Sequence, residues 1–260
     1  MKKTRSRKKK SVIRRKKMLI NRFAIIFLFL SFLGIVSLGV YGILKSFFTV
    51  KNIYANSTTL YDEETIVDAC KIKKGEIIFF TNLEVASYNV CLGLPYIDSA
   101  KLTKRLPNSI NIEVEQAVPY VNLISDDGYI AVSKNNKILE VKESPIPEIP
   151  TVVGLKYFIT DDNKISYENQ ALKDFLVDII EKLKANELFS LEEIDVSDAY
   201  NIKLSYANKI TIIFGDTKDI DYKIKTIREI LFNKLKSDDI GTLDLSSLGK
   251  TNKSYFKTNH

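Results

Sequence analysis

The sequence predicts an α+β protein held by a single N-terminal transmembrane helix. Three observations carry that reading. An uncharged run, Phe23–Leu44, follows a basic N-terminus. Beyond it, apolar residues recur alternately at helical and at strand spacing. Only two cysteines occur in 260 residues, too few for a disulfide scaffold.

The charge is segregated. Residues 1–22 hold twelve basic residues and no acid, so the remaining 27 basic residues face 32 acidic ones. The body is mildly acidic, and the overall +7 comes from the tail. No aromatic residue interleaves the basic ones, and the tail abuts an apolar run, which argues against nucleic-acid binding. Residues 1–22 read as a disordered cytoplasmic tail, with Arg14, Arg15, Lys16, Lys17 and Arg22 flanking the membrane.

A helix over residues 23–44 runs ~33 Å, enough for a ~30 Å hydrocarbon core. A cleaved signal peptide is the competing reading, but its apolar region is only ~7–15 residues and ends in small residues. Here Gly42–Phe48 offers a poor cleavage site. The positive-inside rule places residues 45–260 outside the cytoplasm.

Residues 47–55 read as a strand leading away from the membrane. Asp62-Glu63-Glu64 opens a helix with Ile66, Val67, Ala69 and Cys70 on its apolar side. Thr81-x-x-Glu84 is a capping-box pattern for a second helix, with Leu83, Ala86, Val90 and Cys91 inward. Two strands follow, the second marked by Ile110, Ile112 and Val114 alternating with polar residues. The order β-α-α-β-β over residues 45–116 describes a small α+β domain.

From residue 117 to 250 the pattern predicts a second α+β domain on a mainly antiparallel sheet. Asp127-Gly128 and Asn135-Asn136 mark turns around Tyr129–Val132 and Ile138–Val141. Three prolines within residues 144–154 predict irregular chain. Leu172 to Leu183 and Ile220 to Leu235 show helical spacing, and strands are expected at 192–196, 201–206, 210–214 and Thr242–Ser246. Residues 251–260 read as a tail.

Catalytic chemistry finds little support. The one histidine is His260, and no CxxC, HExxH, GxGxxG or GxxxxGK[ST] pattern occurs. No catalytic, cofactor-binding or metal-ligating residue is assigned, and no cofactor is expected. A Ser–Lys hydrolase has no local motif in its favour. Asp126-Asp127, Asp161-Asp162 and Asp238-Asp239 read as solvated loop acids. Cys70 and Cys91 read as core thiols, a bridge between the two helices being the alternative. A basic cluster with Lys101, Lys104 and Arg105 reads as a solvated face at the second domain's edge, or as one facing anionic polymer or lipid.

Several short segments follow one another in a recognisable order. They are FFTVKNIYANS at 47–57, Gly75-Glu76-Ile77-Ile78-Phe79, Leu94-Pro95-Tyr96-Ile97-Asp98-Ser99-Ala100 and the run from Arg105 to Val114. Asp127-Gly128, Ile149-Pro150-x-x-x-Gly154, Phe214-Gly215 and Thr242-Leu243-Asp244-Leu245 follow. In this order the chain resembles the FtsQ/DivIB family of bacterial cell-division proteins over essentially its whole length. Gln116-Ala117 and Ser246 depart from that family's usual acid–base pair and terminal arginine.

The resemblance implies a POTRA domain followed by a β domain. It implies a non-enzymatic, membrane-embedded divisome scaffold at the division septum. Implied partners are bitopic proteins of the FtsL and FtsB/DivIC types and the septal peptidoglycan synthase complex. It also implies a partner strand received near the C-terminal end, by Thr242, Leu243, Asp244, Leu245, Ser246, Ser247, Leu248, Tyr255 and Phe256. The alternative is a membrane-anchored extracytoplasmic sensor or adaptor not dedicated to division.

Overall fold

The computed structural model describes residues 3–236, 238–251 and 253–258, with side chains described from residue 23 onward except at 24, 250 and 251. His260 lies outside them. A single helix, α1 (Lys3–Phe47), opens the chain. Its stretch Ile25–Phe47 is long and apolar enough to cross a membrane, about 35 Å at the usual helical rise. The basic segment expected to be disordered is therefore helical from Lys3. Lysine and arginine are good helix formers, and extending an existing helix avoids the cost of a new nucleus. The backbone of Arg14, Arg15, Lys16, Lys17 and Arg22 belongs to this segment; Met1 and Lys2 lie outside the described residues.

The first domain is built from β1 (Asn52–Ala55), α2 (Glu63–Ala69), α3 (Leu83–Gly93), β2 (Ile97–Arg105) and β3 (Ser109–Gln116). The sheet order is β1-β3-β2, with β1 parallel and β2 antiparallel to the central β3. Ile66, Ile78, Val90, Ile97, Ile110 and Ile112 have no measurable exposure and form one core with Cys70. Burial of each such side chain stabilises by about 1.5–3 kcal/mol. Cys70 and Cys91 are free thiols, and burial pushes both above the usual thiol range.

Asp62 caps α2, its side chain accepting from the Thr65 N–H at 2.9 Å. The cap of α3 is Asn82, not the expected Thr81: Asn82 Oδ1 accepts from the Glu84 and Val85 amides. Asn is the stronger cap, and Thr81 turns into the interior instead. Lys101, Lys104 and Arg105 lie on β2, in the first domain, rather than at the edge of the second.

The second domain holds a nine-stranded sheet. Its strands are β4 (Pro119–Ser125), β5 (Gly128–Ser133), β6 (Ile138–Lys142), β7 (Thr151–Val153), β10 (Leu191–Asp195), β11 (Ile202–Tyr206), β12 (Ile210–Gly215), β13 (Gly241–Asp244) and β14 (Tyr255–Thr258). A short hairpin, β8 (Tyr157–Ile159) with β9 (Ile165–Tyr167), stands apart. The sheet order is β14-β13-β12-β11-β10-β7-β4-β5-β6. Pairing is antiparallel except between β4 and β7, β7 and β10, and β12 and β13.

Two strands overturn the sequence reading. β7 lies inside the proline-rich stretch expected to be irregular, at the centre of the sheet. Its residues follow the last proline, and Pro150, which has no N–H, contributes its carbonyl to the Asn122 amide at 2.9 Å. Buried Asn122 holds the proline segment: its Nδ2 donates to Ile146 and Ile149 carbonyls, and its Oδ1 accepts from the Ile146 amide. The stretch 251–260, expected to be a tail, carries β14.

Helices α4 (Gln170–Ala185) and α5 (Ile220–Asn233) supply the apolar stripes that form one core with the sheet. Phe175 meets Phe214 edge-on at 6.0 Å there.

The two domains meet at a buried lysine. Lys137, in the β5–β6 turn, is only 4% exposed. Its Nζ donates to the carbonyls of Cys91 (2.6 Å), Leu94 (2.9 Å) and Ile97, at and beyond the end of α3. Asn135 Nδ2 and Ser133 Oγ both donate to the Asp98 carboxylate beside it. Removing the ammonium takes a donor from three carbonyls, of which Leu94 O keeps the Ile97 amide; each buried carbonyl left unpaired costs ~1–3 kcal/mol. Lys137→Met is therefore expected to split thermal unfolding into two transitions and to expose the link around residue 117 to protease. Calorimetry and limited proteolysis check both.

Candidate functional site

The candidate site is the C-terminal edge of the long sheet, where β13, the short α6 (Leu248–Thr251) and β14 close the fold. Its placement begins at the β11–β12 turn, where Ala207 and Asn208 adopt left-handed backbone (φ 53° and 51°). At the far end of β12, Gly215 has φ +80°, and a Cβ there would lie 2.9 Å from Ser246 Cα. That close approach seats the segment after β13 against β12.

Asp216 follows and binds Lys223 in the first turns of α5. Lys223 is 2% exposed, donates to the Asp216 carboxylate at 2.9 Å and to its carbonyl at 2.8 Å, and lies 4.7 Å from the centre of the Phe214 ring. This hydrogen bond to Lys223 holds the Asp216 carboxyl below the usual 3.8.

β13 pairs parallel with β12 and antiparallel with β14. Leu245 N–H donates to Ile213 O at 2.9 Å, extending the ladder one residue past the strand. The final strand expected at Thr242–Ser246 is therefore an inner strand. β14 covers it, and β14 has no neighbour on its outer side among the described residues. Gly241 makes that cover possible. A Cβ there would collide with Lys257 O and come within 2.6 Å of Phe256 Cζ, so β14 lies flat over the glycine.

The residues expected to receive a partner separate into two groups. Leu243, Leu245 and Leu248 are at most 2% exposed and belong to the core beneath the sheet. They position the strands and offer no surface. Thr242 and Asp244 are half-buried, and the Asp244 carboxylate accepts from the Ser246 amide at 2.8 Å. Ser246 is exposed and Ser247 half-buried. Tyr255 is 58% exposed, and Phe256 packs partly against the core.

What this edge can do is add a strand. Tyr255–Thr258 presents one row of backbone donors and acceptors that the sheet does not use, with Tyr255 and Lys257 exposed beside it. At the opposite end of the sheet β6 is the other terminal strand, covered at its start by the β8–β9 turn and exposed at Val141 and Lys142. The Ile138 amide there donates to Asn163 O, and Lys137 is buried next to it. Sequence reasoning located the region but not the exposed strand. The adjacent β-prone aromatics Tyr255 and Phe256, with Thr258 after them, were the signal available. It missed Lys137 altogether, because nothing in the sequence marks one lysine among many as buried.

Two substitutions test this geometry. Gly241→Ala is expected to cost about 1–3 kcal/mol by overpacking and to free β14. Hydrogen exchange should then quicken at residues 255–258 while β11 and β12 stay protected. For Asp216, the unfolded chain takes up the proton at higher pH than the folded one. Its contribution is complete above the usual carboxylate pKa and fades as pH falls through the lowered value. Asp216→Asn should cost about 1–3 kcal/mol near neutral pH and progressively less as the pH falls through the lowered carboxyl value, read from denaturant midpoints at each pH.

Comparison with known proteins gives a consistent result. Residues 48–116 match the family model of the POTRA domain, FtsQ-type. The chain is 31% identical over 248 residues to the cell division protein DivIB of Clostridium botulinum strain Hall, covering 91% of this chain and 92% of that protein. It is 26% identical over 191 residues to DivIB of Clostridium tetani, covering 72% of this chain and 71% of the relative. Cell division protein FtsQ of Corynebacterium glutamicum is 23% identical over 185 residues, 70% of this chain and 78% of that one.

Proposed function

Since the chain belongs to the DivIB/FtsQ family of cell division proteins, we propose that it is a non-enzymatic bitopic scaffold of the divisome. Near full-length similarity to a DivIB protein is the observation that carries this reading. In it, α1 anchors the protein with its N-terminus in the cytoplasm, and both folded domains stand outside, at the septum. The asymmetry between the basic residues of 1–22 and the mildly acidic remainder supports that orientation.

The scaffold works through its free strand edge. A segment of an FtsL- or FtsB/DivIC-type partner pairs with β14, and this links those proteins to septal peptidoglycan synthesis. Backbone hydrogen bonds supply most of the affinity, with Tyr255 and Phe256 as the side chains beside the incoming strand. The buried leucines Leu243, Leu245 and Leu248 contribute by holding β13 and β14 in place.

A fluorescent fusion at the N-terminus is expected to form a band at mid-cell in dividing cells. Uniform membrane label from an intact, functional fusion would overturn the division reading. A membrane-anchored chain truncated after Asn252 is expected to lose capture of those partners while keeping its far-UV dichroism. Undiminished capture would move the interface away from β14.

A further inference from the structure

The exit of α1 from the membrane is not followed by a free linker. The Phe48 amide donates to Leu44 O, and from there the chain is bonded residue by residue to two turns of the first domain. Ile78 N–H donates to Phe48 O at 2.7 Å, Val50 N–H to Glu76 O at 2.8 Å and Gly75 N–H to Val50 O at 2.9 Å. Thr49 and Ile77 form an antiparallel bridge. On the other side, Lys51 N–H donates to Asn108 O at 2.8 Å. Lys104 ties the two turns together, its Nζ reaching Phe79 O at 3.2 Å. An extended residue covers only ~3.3 Å, so both turns lie within about 15 Å of the end of the span.

Both turns carry large apolar side chains that the fold does not bury. Phe79 is 46% exposed, Phe80 76% and Leu106 58%, beside Phe47 at 63%. Phe79 is fixed by its ring contact with Phe48, 5.1 Å between centroids. Single exposed apolar residues need no explanation, but a group gathered at one end of a domain does. The charges around it are mostly of one sign: Lys45, Lys51, Lys73, Lys74 and Arg105 are exposed, with Glu76 the acid among them.

We infer that the 77–80 and 106–108 turns form a membrane-contact face that seats the first domain on the anionic lipid surface around α1. The inference rests on α1 spanning that membrane and is independent of the division reading. The face is continuous with the span: no free chain separates Phe47 from the bonded segment. Phenylalanines bury in the boundary between headgroups and acyl chains, typically ~5–10 Å deep, and lysine and arginine stems reach the phosphates from beside them. The consequence is orientation. A domain held at three points, the span and two turns, cannot swing about a single helix end, so the β14 edge faces a fixed direction.

The chain has no tryptophan, so a single introduced one reports without background. Phe80→Trp and, as a second reporter, Leu106→Trp are made in the full-length chain. Each is reconstituted in vesicles of phosphatidylcholine and phosphatidylglycerol carrying doxyl-labelled lipid. Ile35→Trp marks the span, and Tyr200→Trp, at a site 85% exposed in the second domain, marks the aqueous phase.

Expected are blue-shifted emission and quenching by shallow-labelled lipid at 80 and 106, at least about threefold stronger than at 200, matching interfacial depth. Arg105→Glu should weaken that quenching in anionic vesicles and not in zwitterionic ones. Emission and acrylamide access at 80 and 106 equal to those at 200 would overturn the inference. So would shielding from acrylamide without lipid quenching, which would assign the face to a protein contact. Absence of deep quenching at 35 would overturn the span as well.

Discussion

A single buried ammonium sets how this molecule is arranged. The last carbonyls of any helix lack intrahelical donors, and burying them unpaired is expensive. At the end of α3 Lys137 donates to one such carbonyl, that of Cys91, and to the carbonyls of Leu94 and Ile97 just beyond the helix. Burial holds the Lys137 pKa below the usual lysine value, with Asp98 among the groups pulling the other way. A charge in such a place is tolerated because several oxygens surround it. The β5–β6 turn is thereby fixed against the first domain.

Of the two terminal strands of the long sheet, β6 is buried at its start, at Ile138 and Leu139, whereas β14 has its outer backbone row open along its length among the described residues. The fold makes that edge firm by putting apolar volume beneath it: Leu243, Leu245 and Leu248 pack under the sheet, and Gly241 lets Phe256 lie close over the strand. An edge supported in this way offers a ready ladder at little ordering cost, which suits recruitment of a short extended segment. The membrane end is equally determinate, because residues 48–52 are bonded to two turns immediately after α1. The apolar helix, first domain, lysine clamp and long sheet are thus bonded in series along the chain.

Local pattern explains most of the elements. Alternation at Ile110, Ile112 and Val114 specified β3, and the stripe from Leu172 to Leu183 specified α4, because both faces meet a core at their own period. Where neighbouring chain decides, the pattern misled. Three prolines argued against a strand at 144–154, yet Thr151–Val153 sits between β4 and β10, since only residues past Pro150 need to donate. Thr81 and Asn82 are both cap residues, and the core's demand for one of them chose between them.

The sequence by itself determined the apolar span, the α+β class, most of the helices and strands, and the family. Each of these is written in composition, periodicity or the order of short segments. Tertiary structure alone decided which strand near the C-terminus is outermost, which leucines are buried and which lysine joins the domains. Those outcomes depend on pairings between residues far apart in the chain: Gly241 with Lys257 and Phe256, Gly215 with Ser246, and Lys137 with the end of α3. No local period records such a pairing, because its energy comes from the meeting of two surfaces rather than from either segment.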